Sequence, residues 1–239
     1  MDKKSTLLAL QKGEIQMEGQ FLAGSNYTFL VDVAHDAEIF KAVYKPVRGE
    51  QPLWDFPSGT LAKREVAAFV ISEALEWDLV PPTVYRRKGP MGAGSLQFYI
   101  EHEPHIHYFN FDEETRQRLR PVALFDIIAN NADRKGGHIL VDSQDHMWLI
   151  DHGICFHADD KLRTVVWDFA GEEIPPNLIN DLCRFMDSLE QKIGPAADLR
   201  YLLASDEIEA LLKRTRHLSS SGRFPYPQST RRSYPWPPV

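Results

Sequence analysis

Three β-prone segments follow one another near the start of the chain, and they constrain its fold more than any other feature. They run from about Ile15 to Leu22, from Tyr27 to Val33 (YTFLVDV) and from Ile39 to Tyr44 (IFKAVY), and are rich in β-branched and aromatic residues. Gly24-Ser25-Asn26 separates the first pair and HDAE the second. Connections this short join antiparallel strands, so a meander is expected. A short helix over Ser5 to Gln11 precedes it. After it, the Pro/Gly-rich KPVRGEQPLWDFPSGT ends at Ser58 or Thr60, either of which can cap a helix. In LAKREVAAFVISEALEW the apolar Leu61, Val66, Phe69, Val70 and Leu75 recur at helical spacing. VPPTVYRR and SLQFYIEH, with GPMGAG between them, read as two more strands. The first half is thus a five-stranded sheet with one inserted helix.

The second half has a different character. EETRQRLRPVALFDIIAN is helical in pattern, with Pro121 marking a kink or a boundary between two helices. HILVD and MWLI form short strands around a turn at Ser143 to Asp145, and helices are expected near 177–192, 196–203 and 206–216. The class is therefore α+β: an antiparallel sheet plus one helix over 12–103, then a mostly helical unit over 104–217. The Pro/Ser/Arg-rich end, 218–239, is expected to be a disordered tail, since it has no core of its own. From Lys213 onward the basic side chains Lys213, Arg214, Arg216, Arg223, Arg231 and Arg232 meet no carboxylate side chain, so a weak contact with an anionic membrane surface or partner is the other reading of this end.

Composition narrows the classes further. The chain has 239 residues, 43% hydrophobic and 26% charged, with a net charge of −7, which argues against a general nucleic-acid binder. No apolar run approaches the roughly 20 residues of a membrane span, and the start has too short an apolar core for a signal peptide. A cytoplasmic protein is expected. Cys155 and Cys183 have no metal-type spacing and read as buried free thiols.

The chemistry-bearing residues fall in an order. Lys45 ends the strand AVYKP, and Glu65 sits in the helix that follows. Later, NNADRKGGHILVDSQDHMWLIDHG carries Asp133, Lys135 and His138 on a glycine-broken turn and returns through two short strands to Asp151-His152-Gly153. Phosphoryl transfer needs this set: a cation on the phosphates, a carboxylate to orient that cation, a base near the acceptor hydroxyl and metal ligands. Taken singly, each residue has a plain structural reading, as a surface lysine, a solvated glutamate or a turn aspartate. The ordered set is far less easily accidental. A zinc hydrolase built on His102, His105, His107, His138, His152, His157 and Cys155 is disfavoured because no HExxH is present.

These motifs resemble the phosphoinositide 3/4-kinase-like family. Its D-R-H-x-x-N loop is matched by Asp133-Arg134-Lys135-Gly136-Gly137-His138, and its D-x-G by Asp151-His152-Gly153. Asn131-x-Asp133-Arg134, Lys45-Pro46 with Glu50 and Pro52 behind it, and VPPTV look most like type II phosphatidylinositol 4-kinases. A set of bacterial proteins of similar length is also similar, in GSNYTFLV, AVYKP, NADRKGGH and IDHG. The resemblance implies a two-lobed kinase-like fold with ATP and a divalent cation in the cleft. Lys45 would contact the phosphates and Glu65 would hold it, while Gly24, Ser25 and Asn26 would turn above them. The segment FYIEHE would be the hinge beside adenine, with backbone groups of Glu101, His102 and Glu103 making the contacts. Asp133 would be the base or the acceptor-orienting residue, and Asp151 would bind metal.

Two positions depart from the family pattern. Lys135 replaces His at the distance of the protein-kinase lysine, and is read as stabilising charge on the transferred phosphate. His138 replaces the metal-binding Asn, which opens three outcomes: one Mg2+ held through Asp151, a preference for Mn2+, or an inactive nucleotide binder. The function expected is ATP-dependent transfer of phosphate to an alcohol in a lipid headgroup, polyol or protein. A regulatory nucleotide-binding module and an AMP transferase are the alternatives. After Asp151, Lys161 and Arg163 stand against Asp159, Asp160, Asp168, Glu172 and Glu173. That balance argues against a polyphosphoinositide acceptor.

Overall fold

A computed structural model describes residues 2–22 and 26–239. Helix α1 (Lys3–Lys12) opens the chain, with the Asp2 carboxylate accepting from the Ser5 N–H at 2.7 Å as its N-cap. Strands β1 (Glu14–Phe21), β2 (Thr28–His35) and β3 (Glu38–Pro46) follow as the expected antiparallel meander. The alternation of β2 buries Phe29, Val31 and Val33 on one face, and β3 contributes Ala42 and Tyr44 to the same core. Leu10 of α1 joins them, so this lobe begins earlier than residue 12. Strands β4 (Thr83–Arg86) and β5 (Gly94–Phe98) complete a five-stranded sheet in the order β1-β2-β3-β5-β4.

Helix α2 (Leu61–Ala74) begins after Thr60, yet the Thr60 hydroxyl donates to the Pro57 carbonyl at 2.7 Å instead of capping the helix. The Glu50 carboxylate takes that role, accepting from the Ala62 N–H at 2.9 Å. An acid here also suits the positive end of the helix dipole. By sequence α2 is inserted in the sheet half, but its Ala67, Phe69 and Ile71, with Leu75 at its C-cap, belong to the core of the second half. Buried Arg64 fixes it there, through an ion pair with Glu207 and a 2.6 Å bond to the Cys155 carbonyl.

In the second half, Pro121 marks a boundary. Helix α3 (Glu113–Gln117) stops before it, and α4 (Arg120–Ala129) starts with the proline in its first turn, where a missing N–H costs nothing. Strands β6 (Ile139–Val141) and β7 (Met147–Leu149) pair as a small hairpin. Helices α5 (Pro176–Gln191) and α6 (Ser205–Ser221) close the lobe, and the helix expected near 196–203 is a 3-10 turn over Pro195–Tyr201. Protein-kinase architecture results: a sheet lobe and a helical lobe on either side of a cleft. Cys155 is buried as expected, whereas Cys183 is half-buried on α5; neither forms a disulfide.

The end of the chain differs from the disordered tail expected of 218–239. Residues 218–221 finish α6, and 222–239 run as an extended strap over the helical lobe. Phe224 is buried against Phe169, and Arg231 pairs with Asp160. The Ser233 carbonyl accepts from the Thr164 N–H at 3.1 Å, and the Pro238 carbonyl from the Gly136 N–H at 2.8 Å. Composition misleads here because the strap borrows the lobe's core and carbonyl-pairing groups in place of its own.

Candidate active site

The cleft between the lobes holds a cavity of about 370 Å3. Strand β3 supplies its upper cation through simple alternation: Ala42 and Tyr44 face the sheet core, so Val43 and Lys45 face the cleft. The Lys45 ammonium pairs with Glu65 of α2 and lies 3.0 Å from Asp151. Burial works to lower the Lys45 pKa, but the Asp151 and Glu65 charges outweigh it and hold the group firmly protonated. The second Glu65 oxygen accepts from the His152 N–H at 2.9 Å. One buried carboxylate thereby joins strand, helix and the Asp-His-Gly segment.

Below, the loop after α4 is set by Asn130 and Asn131. Asn130 ends the helix in the left-handed region and donates to the carbonyls of His157 (2.8 Å) and Asp159 (2.7 Å). Asn131 accepts from the Asp133 N–H at 2.9 Å, which orients the loop's entry. Arg134 turns inward and is fully buried. It bonds Asp126 at 2.9 Å, the carbonyls of His138 (3.2 Å) and Ile150 (2.8 Å), and the His152 ring at 2.8 Å. With Arg134 facing inward, its neighbours Asp133 and Lys135 face the cleft, their charged atoms 3.6 Å apart. Gly136 is needed for close approach, since a Cβ there would meet the Phe109 ring at 2.9 Å; at Gly137 a Cβ would meet nothing within 4 Å.

Asp151 has φ +62, a conformation aspartate tolerates better than most side chains, and half of its side-chain surface is open to the cleft. The Lys45 charge holds its carboxyl well below the usual range, against burial. His138 Nε2 lies 3.5 Å from the other Asp151 oxygen. Burial pushes the His138 imidazole down to about 4, so at neutral pH it is uncharged with a lone pair available. Burial raises the Asp133 carboxyl; Lys135 opposes this and Asp151 adds to it.

The set Asn26, Lys45, Glu65, His102, Asp133, Lys135, His138 and Asp151 therefore lines one cavity. Gly24 and Ser25 lie outside the described residues. The side chains of Glu101 and Glu103 are exposed and do not line the cavity. The sheet ends at Phe98, and the wall is made by Gln97 to Ile100, with His102 turned back to the Ile100 carbonyl at 2.9 Å. His105 points to solvent, with 78% of its side chain exposed. Among the described residues no group of three or more metal-ligating side chains occurs. Asp151 and His138 would together offer a metal ion one carboxylate and one imidazole nitrogen.

Several residues matter here that sequence spacing did not single out. Glu50 lines the cavity, and its second oxygen is buried without a partner among the described residues. Its sequence signal was its place behind Lys45-Pro46 in the stretch that carries the resemblance, which did not show that it would meet the start of α2. Asp126 and Arg134 anchor the loop from behind, and an acid inside an apolar helix was the available sign. The acids after Asp151 are mostly paired within the protein: Asp168 with Arg116, Glu172 with Arg120, Glu173 with Arg223 and Asp160 with Arg231. Counting charges along that segment thus overstates its negative surface.

Comparison with known proteins adds a family to this geometry. A family model described as phosphatidylinositol 3- and 4-kinase matches residues 59–204. Protein Rv2133c of Mycobacterium tuberculosis (strain ATCC 25618 / H37Rv) is 37% identical over 264 residues, covering 95% of this chain and 93% of that one. Phosphatidylinositol 4-kinase gamma 4 of Oryza sativa subsp. japonica is 27% identical over 210 residues, 72% of this chain but 37% of the rice protein. Among solved structures, the Golgi casein kinase with Mn/ADP bound superposes with a TM-score of 0.61 at 15% identity, over 91% of this chain and 74% of that one. The Helicobacter pylori proinflammatory kinase CtkA gives 0.54 at 13% identity, over 90% and 94%. At those identities the likeness is one of fold.

Proposed function

The chain belongs to the phosphatidylinositol 3- and 4-kinase family, and on that premise we propose that it transfers the γ-phosphate of ATP to an alcohol. The observation that carries this reading is the convergence of Lys45, held by Glu65 and Asp151, with Asp133 and Lys135 across one cleft. Phosphoryl transfer depends on positioning and charge neutralisation more than on covalent chemistry, and these groups supply both.

In this reading adenine lies against Val43, Leu140 and the Phe98–Ile100 wall. Lys45 neutralises the phosphates, and the Glu65 pair keeps its ammonium pointed at them. Asp133 accepts the hydrogen bond of the acceptor hydroxyl and orients its oxygen toward the γ-phosphorus. Lys135, beside it, meets the charge that builds on the transferred group. Asp151 and His138 hold Mg2+ or Mn2+, which when bound supplies further charge neutralisation at the phosphate oxygens.

Two outcomes test these assignments. His138→Asn replaces an imidazole nitrogen by an amide oxygen, and magnesium favours oxygen ligands more strongly than manganese does. The ratio of Mn2+-supported to Mg2+-supported ADP release is expected to fall in this variant; an unchanged ratio removes His138 from the metal site. For Asp133, the active form is the carboxylate and burial raises its pKa, so activity is expected to fail on acidification earlier than for an ordinary aspartate. Lys135 lowers that pKa, so Lys135→Met moves the acid limb of kcat to still higher pH. A limb that stays in place in a kcat profile of Lys135→Met separates Asp133 from the titration.

A further inference from the structure

A second cavity, of about 430 Å3, opens between α6 and the C-terminal strap and shares no lining residue with the interlobe cleft. Leu162, Trp167, Leu218 and Pro225 give it apolar walls. Along α6, Lys213, Arg214 and His217 bring three basic side chains to it. Residues four apart on a helix share a face, which groups Lys213 with His217 and Arg214 with Ala210 and Leu218.

Arg214 is the informative member. Its Nε donates to the Ile128 carbonyl at 2.9 Å and its Nη1 reaches the His157 carbonyl at 3.4 Å, while Nη2 is buried without a partner among the described residues. Burial lowers the guanidinium pKa to about 10, which still leaves it charged at neutral pH. A buried charge with an unmet N–H is costly unless an anion or another acceptor meets it. The one carboxylate among the described lining residues cannot do so freely, because Asp160 is engaged by Arg231 and by Gln228 at 2.8 Å.

We propose that this cavity binds a small anionic amphiphile, with one carboxylate or phosphomonoester head held by Arg214 and Lys213 and an apolar body along Leu162, Trp167 and Leu218. A guanidinium suits either head, since its fork matches both geometries. The strap forms one wall of the cavity, so the ligand holds it against the lobe. Through the Ser233 carbonyl on the Thr164 N–H, and the Pro238 carbonyl on the Gly136 N–H, the strap reaches the loop that carries Asp133. The chemistry is shared by soluble alkyl phosphates or fatty acids and by anionic membrane lipids.

The test titrates the full chain with octyl phosphate, octanoate, octyl glucoside and inorganic phosphate, all below micelle concentrations, and follows heat and tryptophan fluorescence. Octyl phosphate or octanoate is expected to saturate at one per chain, with at least about tenfold tighter binding than octyl glucoside or inorganic phosphate. Strap amides from 228 to 238 gain protection from hydrogen exchange on binding. Ala210→Phe, which fills the cavity from a helical position, abolishes binding while the circular dichroism spectrum stays unchanged. Arg214→Lys keeps the charge but loses the fork and binds several-fold more weakly. Vesicles of phosphatidylcholine doped with phosphatidic acid separate the sources: sedimentation that Ala210→Phe abolishes indicates a lipid, and soluble binding without sedimentation indicates a free ligand. Equal binding of octyl glucoside, or anion binding that survives both substitutions, overturns the proposal.

Discussion

Asp151→Asn is expected to remove divalent-ion-dependent nucleotide binding and to lower kcat by about 10³-fold. The magnitude follows from losing several kcal/mol of charge stabilisation, at about 1.4 kcal/mol per factor of ten. The fold should survive, for two reasons read directly from the site. Asparagine accepts the positive φ that Asp151 adopts, and Lys45 keeps Glu65 as a partner when the Asp151 charge is gone. Thermal unfolding near the wild-type temperature, together with calorimetric titration of ATP with and without Mg2+ or Mn2+, distinguishes a lost ligand from a lost structure. Metal-dependent binding at wild-type strength in this variant takes Asp151 out of the site.

Arg134→Met is expected to act on stability instead, by about 3–5 kcal/mol. Both Arg134 and its partner Asp126 are fully buried, and Arg134 also holds the carbonyls of His138 and Ile150. Removing the guanidinium strands a carboxylate in the core with Thr164 (2.9 Å) and Asn131 (3.2 Å) as its remaining donors. Breaking a buried ion pair from one side costs far more than the pair itself contributes, because the surviving charge is left uncompensated. The double replacement Arg134→Met with Asp126→Leu should therefore cost less than Arg134→Met alone, as read by urea unfolding. Costs that simply add would show that the two residues are not coupled. Because the same guanidinium ties the Asp133 loop to the strand before Asp151, Arg134→Met should also depress turnover in the fraction that stays folded.

Much of this was legible in the sequence because local rules and the fold agree. The alternation in YTFLVDV and AVYKP set the inward and outward faces of β2 and β3, which is enough to aim Lys45 at the cleft. The helical spacing that placed Glu65, and the order of Asp133, Lys135, His138 and Asp151, are likewise short-range patterns. What escaped was long-range. That α2 packs in the core of the helical lobe depends on Arg64 reaching Glu207, which are 143 positions apart. That Gln97 to Ile100 form the cavity wall follows from sheet pairing, which decides where β5 ends, and not from residue type. The strap was hidden because its binding energy resides in another part of the chain, and the acids after Asp151 because their arginines come from α3, α4 and the strap.

The most direct measurement of phosphotransfer incubates the protein with ATP labelled at the γ or the α position, Mg2+ or Mn2+, and extracts of lipids, polyols and proteins. Transfer to an alcohol predicts ADP as product and label leaving only from the γ position, with both lost in Asp133→Asn, where removal of the acceptor-orienting acid costs about 10²–10⁴-fold. α-Label on an acceptor with pyrophosphate released, or metal-dependent ATP binding with no turnover against any of the extracts, would contradict it.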